Sequence, residues 1–551
     1  MVDKSRHWML PRPKRRLVSV PHILQTWLLS AQEIALEDPD DTWSGNRERH
    51  IRFEEILESE GIKRPGKRRD ASGSGGRTYA AMLKALGLIF TRESDSKAYL
   101  TIAGEELING GSPSQIISTQ VMRLQYPSPY SLSIRLSPEL KVRPALLVLQ
   151  LLLDPRVGSL SEEEIGTIVM KHGTSNSSET VEAIVHELLA VRNGNQPSPD
   201  EPRVEESSAG PIDFFFSGEA VAWDAEGSVG SARNASTKLL ETANVFVNWL
   251  DYTQFLGREE GGVWVLDEKR ATVHRAVDHF LAEPLLSEPE REETFQRRFG
   301  RGPNKTKDTR NLDQQATVTA RMVEESLIKA KYLGIAEQRP VNGVDDELVN
   351  EISGLTGIAA AQVERFLRRE YPHGNYGLFL NEYVQMAYES RNRANDFEVA
   401  TTEIFRTMLS VEAEHTGISG QRTPDVVVRD GETDRWGLID NKAYRAYSLG
   451  SGDDRAMREY LRNYLEKASA AGAKLDFFLY IAAGFKSGVV SKLNTITEET
   501  GVPGSAIDVQ AMAQLAKSFA ASSATGSDLF DLFQKQGIIT LGDVNALLGG
   551  R

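Results

Sequence analysis

Residues 423–444 read TPDVVVRDGETDRWGLIDNKAY, and this stretch decides the fold of the C-terminal part of the chain. Two strand-like runs, VVV at 426–428 and WGLIDNKAY at 436–444, flank RDGETD, whose Asp430-Gly431 suits a hairpin turn. Strand side chains alternate with period two, so Asp440 and Lys442 are expected on one face and Asn441 on the other. Pro424-Asp425 opens the partner strand. Proline is tolerated at a strand start, and from there Asp425 can be brought beside Asp440. Two carboxylates and one ammonium then converge on one side of a sheet.

Hard divalent cations take oxygen ligands, typically one or two carboxylates together with substrate phosphate and water. The set therefore suits phosphodiester hydrolysis. Asp425 and Asp440 would hold Mg²⁺ (or Mn²⁺) against a phosphate oxygen. Lys442 would position the attacking water or stabilise charge in the transition state. The other reading is an exposed hairpin with charges on its solvent face, because any alternating strand can produce Asp-Xaa-Lys by chance. The Pro-Asp at the right remove, the buried strand that follows and the amphipathic helix that precedes favour the catalytic set.

Outward from this stretch, Phe397, Ala400, Ile404, Phe405 and Met408 form one amphipathic helical face. Met457, Tyr460, Leu461, Tyr464 and Leu465 form a second, and FFLYIAA at 477–483 predicts a fully buried central strand. Residues 377–551 thus alternate helix and strand, an α/β domain. Residues 311–376 read as a helical connector, and residues 136–310 as mainly helical, with VRPALLVLQLLL a buried helix. In residues 1–135 an amphipathic helix through Tyr79, Met82, Leu83 and Leu86 precedes two short strands flanking ESDS. That order fits a winged-helix-like DNA-reading part. It also fits a small helical domain with a flexible basic loop.

The chain has 551 residues, 40% hydrophobic and 26% charged, which allows several domains and excludes disorder throughout. It contains no cysteine, which excludes disulfides, thiol nucleophiles and cysteine-ligated metals. The longest uncharged apolar stretch, residues 145–153, is half of what a membrane span needs, and no signal peptide is evident. A cytoplasmic, bacterial-type intracellular location with no membrane partner is expected.

The net charge of −14 gives no bulk argument for a polyanionic partner, so nucleic-acid contacts must come from local basic clusters. Three exist: residues 1–16, IKRPGKRR at 62–69 and TFQRRFGRGPNKTKDTR at 294–310. Arg15, Arg16, Lys63, Arg64, Lys67, Arg68 and Arg69 are the candidate phosphate contacts, with Arg297, Arg298, Arg301, Lys305 and Lys307. Solvated surface is the alternative for each run. SGSGG lacks the Gly-Lys-Ser/Thr of a phosphate loop, and His274 and His279 are badly spaced for a shared metal.

Pro424-Asp425…Asp440-Asn441-Lys442 resembles the Pro-Asp…Asp/Glu-Xaa-Lys nucleases. With the Gly-rich loop, DDRAMREYLRNY and FFLYIAAGFKSG…KLNTITEETG behind it, the C-terminal part is similar to the cleavage domain of FokI-type restriction endonucleases. LIFTRESDSKAYLTIAGEELI, QYPSPYS and FQRRFGRGPNKTKD in the N-terminal half resemble AlwI-like type IIS enzymes.

The resemblance implies a mainly α, multidomain enzyme with a mixed-sheet, restriction-endonuclease-like α/β core. It would cut double-stranded DNA at a fixed distance outside an asymmetric site. Asp425 and Asp440 take the metal-ligand roles and Lys442 that of the catalytic lysine, while Glu398 matches a family carboxylate, with a helix-surface charge as its other reading. The resemblance also implies a monomer in solution whose cleavage domains pair transiently on DNA through Asp454 and Arg458. The same two residues suit an i, i+4 ion pair worth a few tenths of a kcal/mol. A nickase in which that helix fails to pair, a non-catalytic DNA-binding regulator and a structure-selective repair nuclease are the competing functions. The intact Asp425, Asp440 and Lys442 argue against the regulator, and the large N-terminal half against the repair nuclease.

Overall fold

The computed structural model describes residues 7–14, 16–38, 42–64, 73–134, 136–137, 139–193, 214–216, 219–221, 232–259, 262–303, 307–314, 318–388, 393–417 and 423–549. The chain divides into two compact units, residues 1–330 and 331–551.

In the N-terminal unit the helix through Tyr79, Met82 and Leu83 runs Ser74–Ala85, and all three residues are buried. An antiparallel hairpin follows, Ile89–Thr91 against Ala98–Leu100, with Ile89 opposite Leu100. Thr101 then caps the next helix, Ile102–Ile108, by accepting a hydrogen bond from the Gly104 amide. The expected buried helix is Pro144–Leu153, with proline in the first turn, where a missing N–H costs nothing. Every residue in it except Gln150 is buried, and the Gln150 amide bonds Asn176. A three-stranded antiparallel sheet of Ser159–Leu160, Gly262–Val265 and Leu256–Glu259 interrupts the stretch read as mainly helical. These strands have two to four residues, too few for a period-two pattern to stand out.

The C-terminal unit begins with helical elements, among them Asp346–Thr356 and Ala360–Glu370. Helices α1 (Tyr376–Tyr388) and α2 (Ala394–Glu403) lead into strands β1 (Glu412–His415), β2 (Val426–Asp430) and β3 (Arg435–Lys442). Helix α3 (Ser451–Ala470), β4 (Lys474–Ala482), α4 (Val489–Thr500) and β5 (Gly504–Asp508) follow. Helices α5 (Val509–Phe519) and α6 (Gly526–Phe533), strand β6 (Gly537–Ile539) and α7 (Leu541–Leu548) complete it.

The six strands form one mixed sheet in the order β6-β5-β4-β3-β2-β1. Strands β3 to β6 are parallel, and β2 runs antiparallel to both β1 and β3. Val426, Val428, Ile439, Phe477, Leu479 and Ile481 belong to a core shared with α1, α2, α5 and α6. The intervening Val427, Leu438, Phe478 and Tyr480 belong to a second core with α3 and α4. Helices therefore cover both faces, which is why β4 is buried from Leu475 to Ala482 and reads as unbroken apolar sequence from Phe477 onward.

The β2–β3 hairpin forms with Asp430 opposite Arg435. Its turn rests on the Asp430 carboxylate, which accepts bonds from the Glu432 amide at 3.1 Å and from the Thr433 hydroxyl. The left-handed residue is Asp434 (φ 49°), not Gly431. Aspartate and glycine were the right turn chemistry, but the aspartates do the turning.

Candidate active site

The Pro424-Asp425 junction is fixed by the end of β1. The Thr416 and Gly417 amides donate to the Asp425 carbonyl at 2.8 and 3.1 Å, and the Thr416 hydroxyl donates to the Pro424 carbonyl at 2.6 Å. One residue into β2, the ladder pairs Val426 with Ile439. Continuing that register sets Asp425 opposite Asp440, and the Asn441 amide donates to the Asp425 carboxylate at 2.6 Å.

Asp440 is buried, at 4% exposure, on the same sheet face as Leu438, whereas Asn441 points to the opposite face. There its amide nitrogen bonds the Thr401 hydroxyl of α2 at 2.5 Å. Tyr383 of α1 shares that hydroxyl at 3.2 Å. Lys442 returns to the Asp440 side, with Nζ 2.8 Å from an Asp440 carboxylate oxygen. Its second partner, at 3.3 Å, is Asp453 in the first turn of α3. The structure thus brings Asp425, Asp440 and Lys442 together, as the alternation requires.

Burial pushes the Asp425 carboxyl well above the usual range, and the charges of Asp440 and Glu398 push it further. The Lys442 ammonium and the Asn441 amide act the other way. For Lys442, burial opposes the charge, but Asp440 and Asp453 outweigh it and hold the ammonium protonated. Glu398 of α2 approaches this cluster from the β1 side: its Oε2 lies 3.1 Å from His415 Nε2. A Cβ placed on Gly417 would stand 2.5 Å from that oxygen and 3.4 Å from the Asp425 Cα.

Several carboxylates share this pocket of charge, and their repulsion adds to the burial that raises Asp425. A divalent cation relieves that repulsion, and the donors are oxygens, so the residues present fit Mg²⁺ or Mn²⁺. Among the described residues no group of three or more His, Asp and Glu side chains forms a cage complete in itself.

Asp453 and Tyr447 had no signal in the sequence. Their approach to Lys442 depends on the path of the loop after β3, where the Tyr447 hydroxyl donates to Asp453 at 2.9 Å. Asp454 and Arg458 form the i, i+4 pair that their spacing allows, at 2.8 Å. Arg458 also pairs with Glu499 of α4.

The basic candidates separate into distinct groups. Lys63 is paired with Glu54 at 3.1 Å and with Glu58. Arg297 pairs with Glu293 and Asp308, both at 3.2 Å, and Arg301 with Glu283 at 2.7 Å. Arg16, Arg64, Arg298 and Lys307 are exposed. Arg298 and Lys307 line one cleft of about 630 Å³ together with Arg123 and Arg143, two buried arginines that the sequence reading missed. Arg15, Lys67, Arg68, Arg69 and Lys305 lie outside the described residues. No described helix is long and apolar enough to cross a membrane.

Residues 357–540 match the family described as the FokI cleavage domain. That stretch therefore carries a FokI-type cleavage domain, in agreement with the resemblance of its motifs. No curated protein matches the chain. Among solved structures, restriction endonuclease FokI is similar at 12% identity and a TM-score of 0.28, over 98% of this chain and 100% of that one. FokI bound to DNA gives 13% identity and 0.27 over the same shares. The BpuJ1 endonuclease binding domain, in complex with pyrene- and phenanthrene-modified DNA, gives 11% and 0.32 over 54% of this chain and 96% of that one.

Proposed function

We propose that this chain is a type IIS DNA endonuclease that hydrolyses phosphodiester bonds of duplex DNA at a fixed distance from an asymmetric recognition site. The observation that carries the reading is the meeting of Asp425, Asp440 and Lys442 on one sheet face within a FokI-type cleavage domain. A divalent cation, Mg²⁺ or Mn²⁺, supplies electrostatic stabilisation of the reacting phosphate when bound.

The protein's own groups do the rest. Asp425 and Asp440 offer the carboxylate oxygens that hold the cation, and the Asn441 amide fixes the orientation of Asp425. Lys442 stays protonated between Asp440 and Asp453, so its part is to orient water or to stabilise developing negative charge, not to accept a proton.

The N-terminal part would read the DNA. Its helix Ser74–Ala85 and the following hairpin support a winged-helix-like arrangement, and exposed Arg16, Arg64, Arg298 and Lys307 are the phosphate contacts we favour. On this reading residues 1–135 and 136–310 recognise the site, 311–376 connect and 377–551 cut, and the enzyme works in the cytoplasm as a monomer until cleavage domains pair on DNA. Nicking of one strand is a second reading, favoured by one observation. Arg458 is engaged by Asp454 and Glu499 of its own chain, so pairing through α3 would require it to exchange partners.

The test is incubation of the full chain with long duplex DNA of varied sequence and Mg²⁺, followed by sequencing of the ends. Breaks in both strands at a constant offset from one asymmetric sequence support the type IIS reading. Breaks confined to one strand select the nickase, and ends without a common sequence nearby reject both.

A further inference from the structure

Lys442 has two anionic partners, and they come from different elements. Asp440 is its neighbour on β3, at 2.8 Å, and Asp453 reaches it from the first turn of α3, at 3.3 Å. The two are not equivalent. Asp440 is also one of the carboxylates that the proposed cation takes up, and a cation on Asp440 competes with the ammonium for the same oxygen charge. A lysine held by Asp440 alone would then keep a flexible four-carbon arm with nothing to fix its end.

Asp453 is placed to prevent this. It lies where the partial positive charge of a helix N-terminus stabilises a carboxylate. One of its oxygens meets Lys442 and the other accepts the Tyr447 hydroxyl at 2.9 Å. Tyr447 is rigid in turn. It is buried at 3% exposure, and its amide donates to the Gly484 carbonyl at 2.8 Å. Its own carbonyl accepts the Lys486 amide, also at 2.8 Å. Its ring is wedged among Tyr444, Tyr480 and Phe485. A chain of contacts therefore runs from a fixed ring through Asp453 to the ammonium.

We infer that Asp453, clamped by Tyr447, is a positioning residue that holds the Lys442 ammonium at the reaction centre when Asp440 is engaged elsewhere. The inference rests on the nuclease reading for its catalytic meaning, but the clamp itself does not depend on it.

The test uses the full chain with Asp453→Asn, which keeps the shape and an acceptor for Tyr447 but removes the charge. Asp453→Glu restores the charge, and Tyr447→Phe removes only the clamp. Single-turnover cleavage of the mapped site is measured beside DNA affinity in EDTA, thermal unfolding and, with Mg²⁺ present, the ¹⁵N resonance of the Lys442 ammonium. Asp453→Asn is expected to slow the bond-breaking step by about a hundredfold, the scale of an ångström misplacement. DNA affinity and unfolding temperature should stay as in wild type, with the slowly exchanging ammonium signal lost. Tyr447→Phe should move rate and signal the same way by less, and Asp453→Glu should recover part of both.

Wild-type rate and an unchanged ammonium signal in Asp453→Asn would overturn the inference. So would a loss that merely follows unfolding temperature or DNA affinity. If the wild type itself cuts no DNA under Mg²⁺ or Mn²⁺, the nuclease reading falls and the catalytic role with it. The ammonium signal still shows, in that event, whether Asp453 holds the lysine.

Discussion

Asn441 and Thr401 hydrogen-bond at 2.5 Å on the face of the sheet opposite the candidate active site. Because Asn441 stands between Asp440 and Lys442 on β3, this bond ties β3 to α2 from behind, while the Asn441 backbone amide holds Asp425 in front. One residue thus joins the core of the domain to its chemistry through two different groups.

Asn441→Ala keeps the backbone amide and removes the side-chain bond, leaving the buried Thr401 hydroxyl with the Phe397 carbonyl and Tyr383 as partners. We expect a loss of about 1–3 kcal/mol, read as a lower denaturation midpoint. The cleavage rate should fall less than for any change at Asp440 or Lys442. An unaltered midpoint would show that the α2 tie contributes nothing.

Half of the site was legible in the sequence because it obeys local geometry. The period of two in a strand places Asp440 and Lys442 together whatever the rest of the chain does, and Pro424 marks where its partner strand begins. The same logic found the buried β4 and the helix through Tyr79. What could not be read depends on contacts made after the chain has folded. Asp453 meets Lys442 only because the loop after β3 returns α3 to the sheet, and nothing in the spacing of residues 442 and 453 requires it. Lys63 looks free in a basic run, yet its charge is met by Glu54 and Glu58 of the preceding helix. Arg123 and Arg143 sit in apolar surroundings in the sequence and join the basic cleft through tertiary packing alone.

Burial, with Glu382 nearby, raises the Glu337 carboxyl to about 7, Arg393 offsetting only part of the effect. A raised carboxyl means that the folded protein binds a proton that the unfolded chain has already released. Stability is therefore intact below the unfolded value of about 4.3, and it declines as pH rises through about 7. Glu337→Gln removes the titration. It should raise the stability of the C-terminal unit by about 1–3 kcal/mol at pH 8 and leave it unchanged at pH 4. Equal effects at both pH values in thermal unfolding would refute the assignment.

Arg298 and Lys307 are exposed and line one cleft with the buried Arg123 and Arg143, so their charges are available to a phosphate backbone. Each phosphate neutralised releases condensed counterions and steepens the fall of affinity with salt. Arg298→Ala and Lys307→Ala should each weaken duplex binding and reduce the slope of log affinity against log salt by about 1. Lys63→Ala, already paired within its own unit, should change the slope little. Fluorescence anisotropy over a salt series separates the cases. A slope unmoved by Arg298→Ala would remove that residue from the interface.

The most direct test is cleavage of duplex DNA in Mg²⁺ by wild type, Asp440→Ala and Lys442→Ala, with DNA affinity measured in parallel in EDTA. Both substitutions should lower the cleavage rate by about a hundredfold or more while affinity stays near wild type, because the proposed phosphate contacts are other side chains than the proposed cleavage set. Cleavage persisting at the wild-type rate in either variant would contradict a catalytic role for that residue and place the hydrolytic centre elsewhere in the chain.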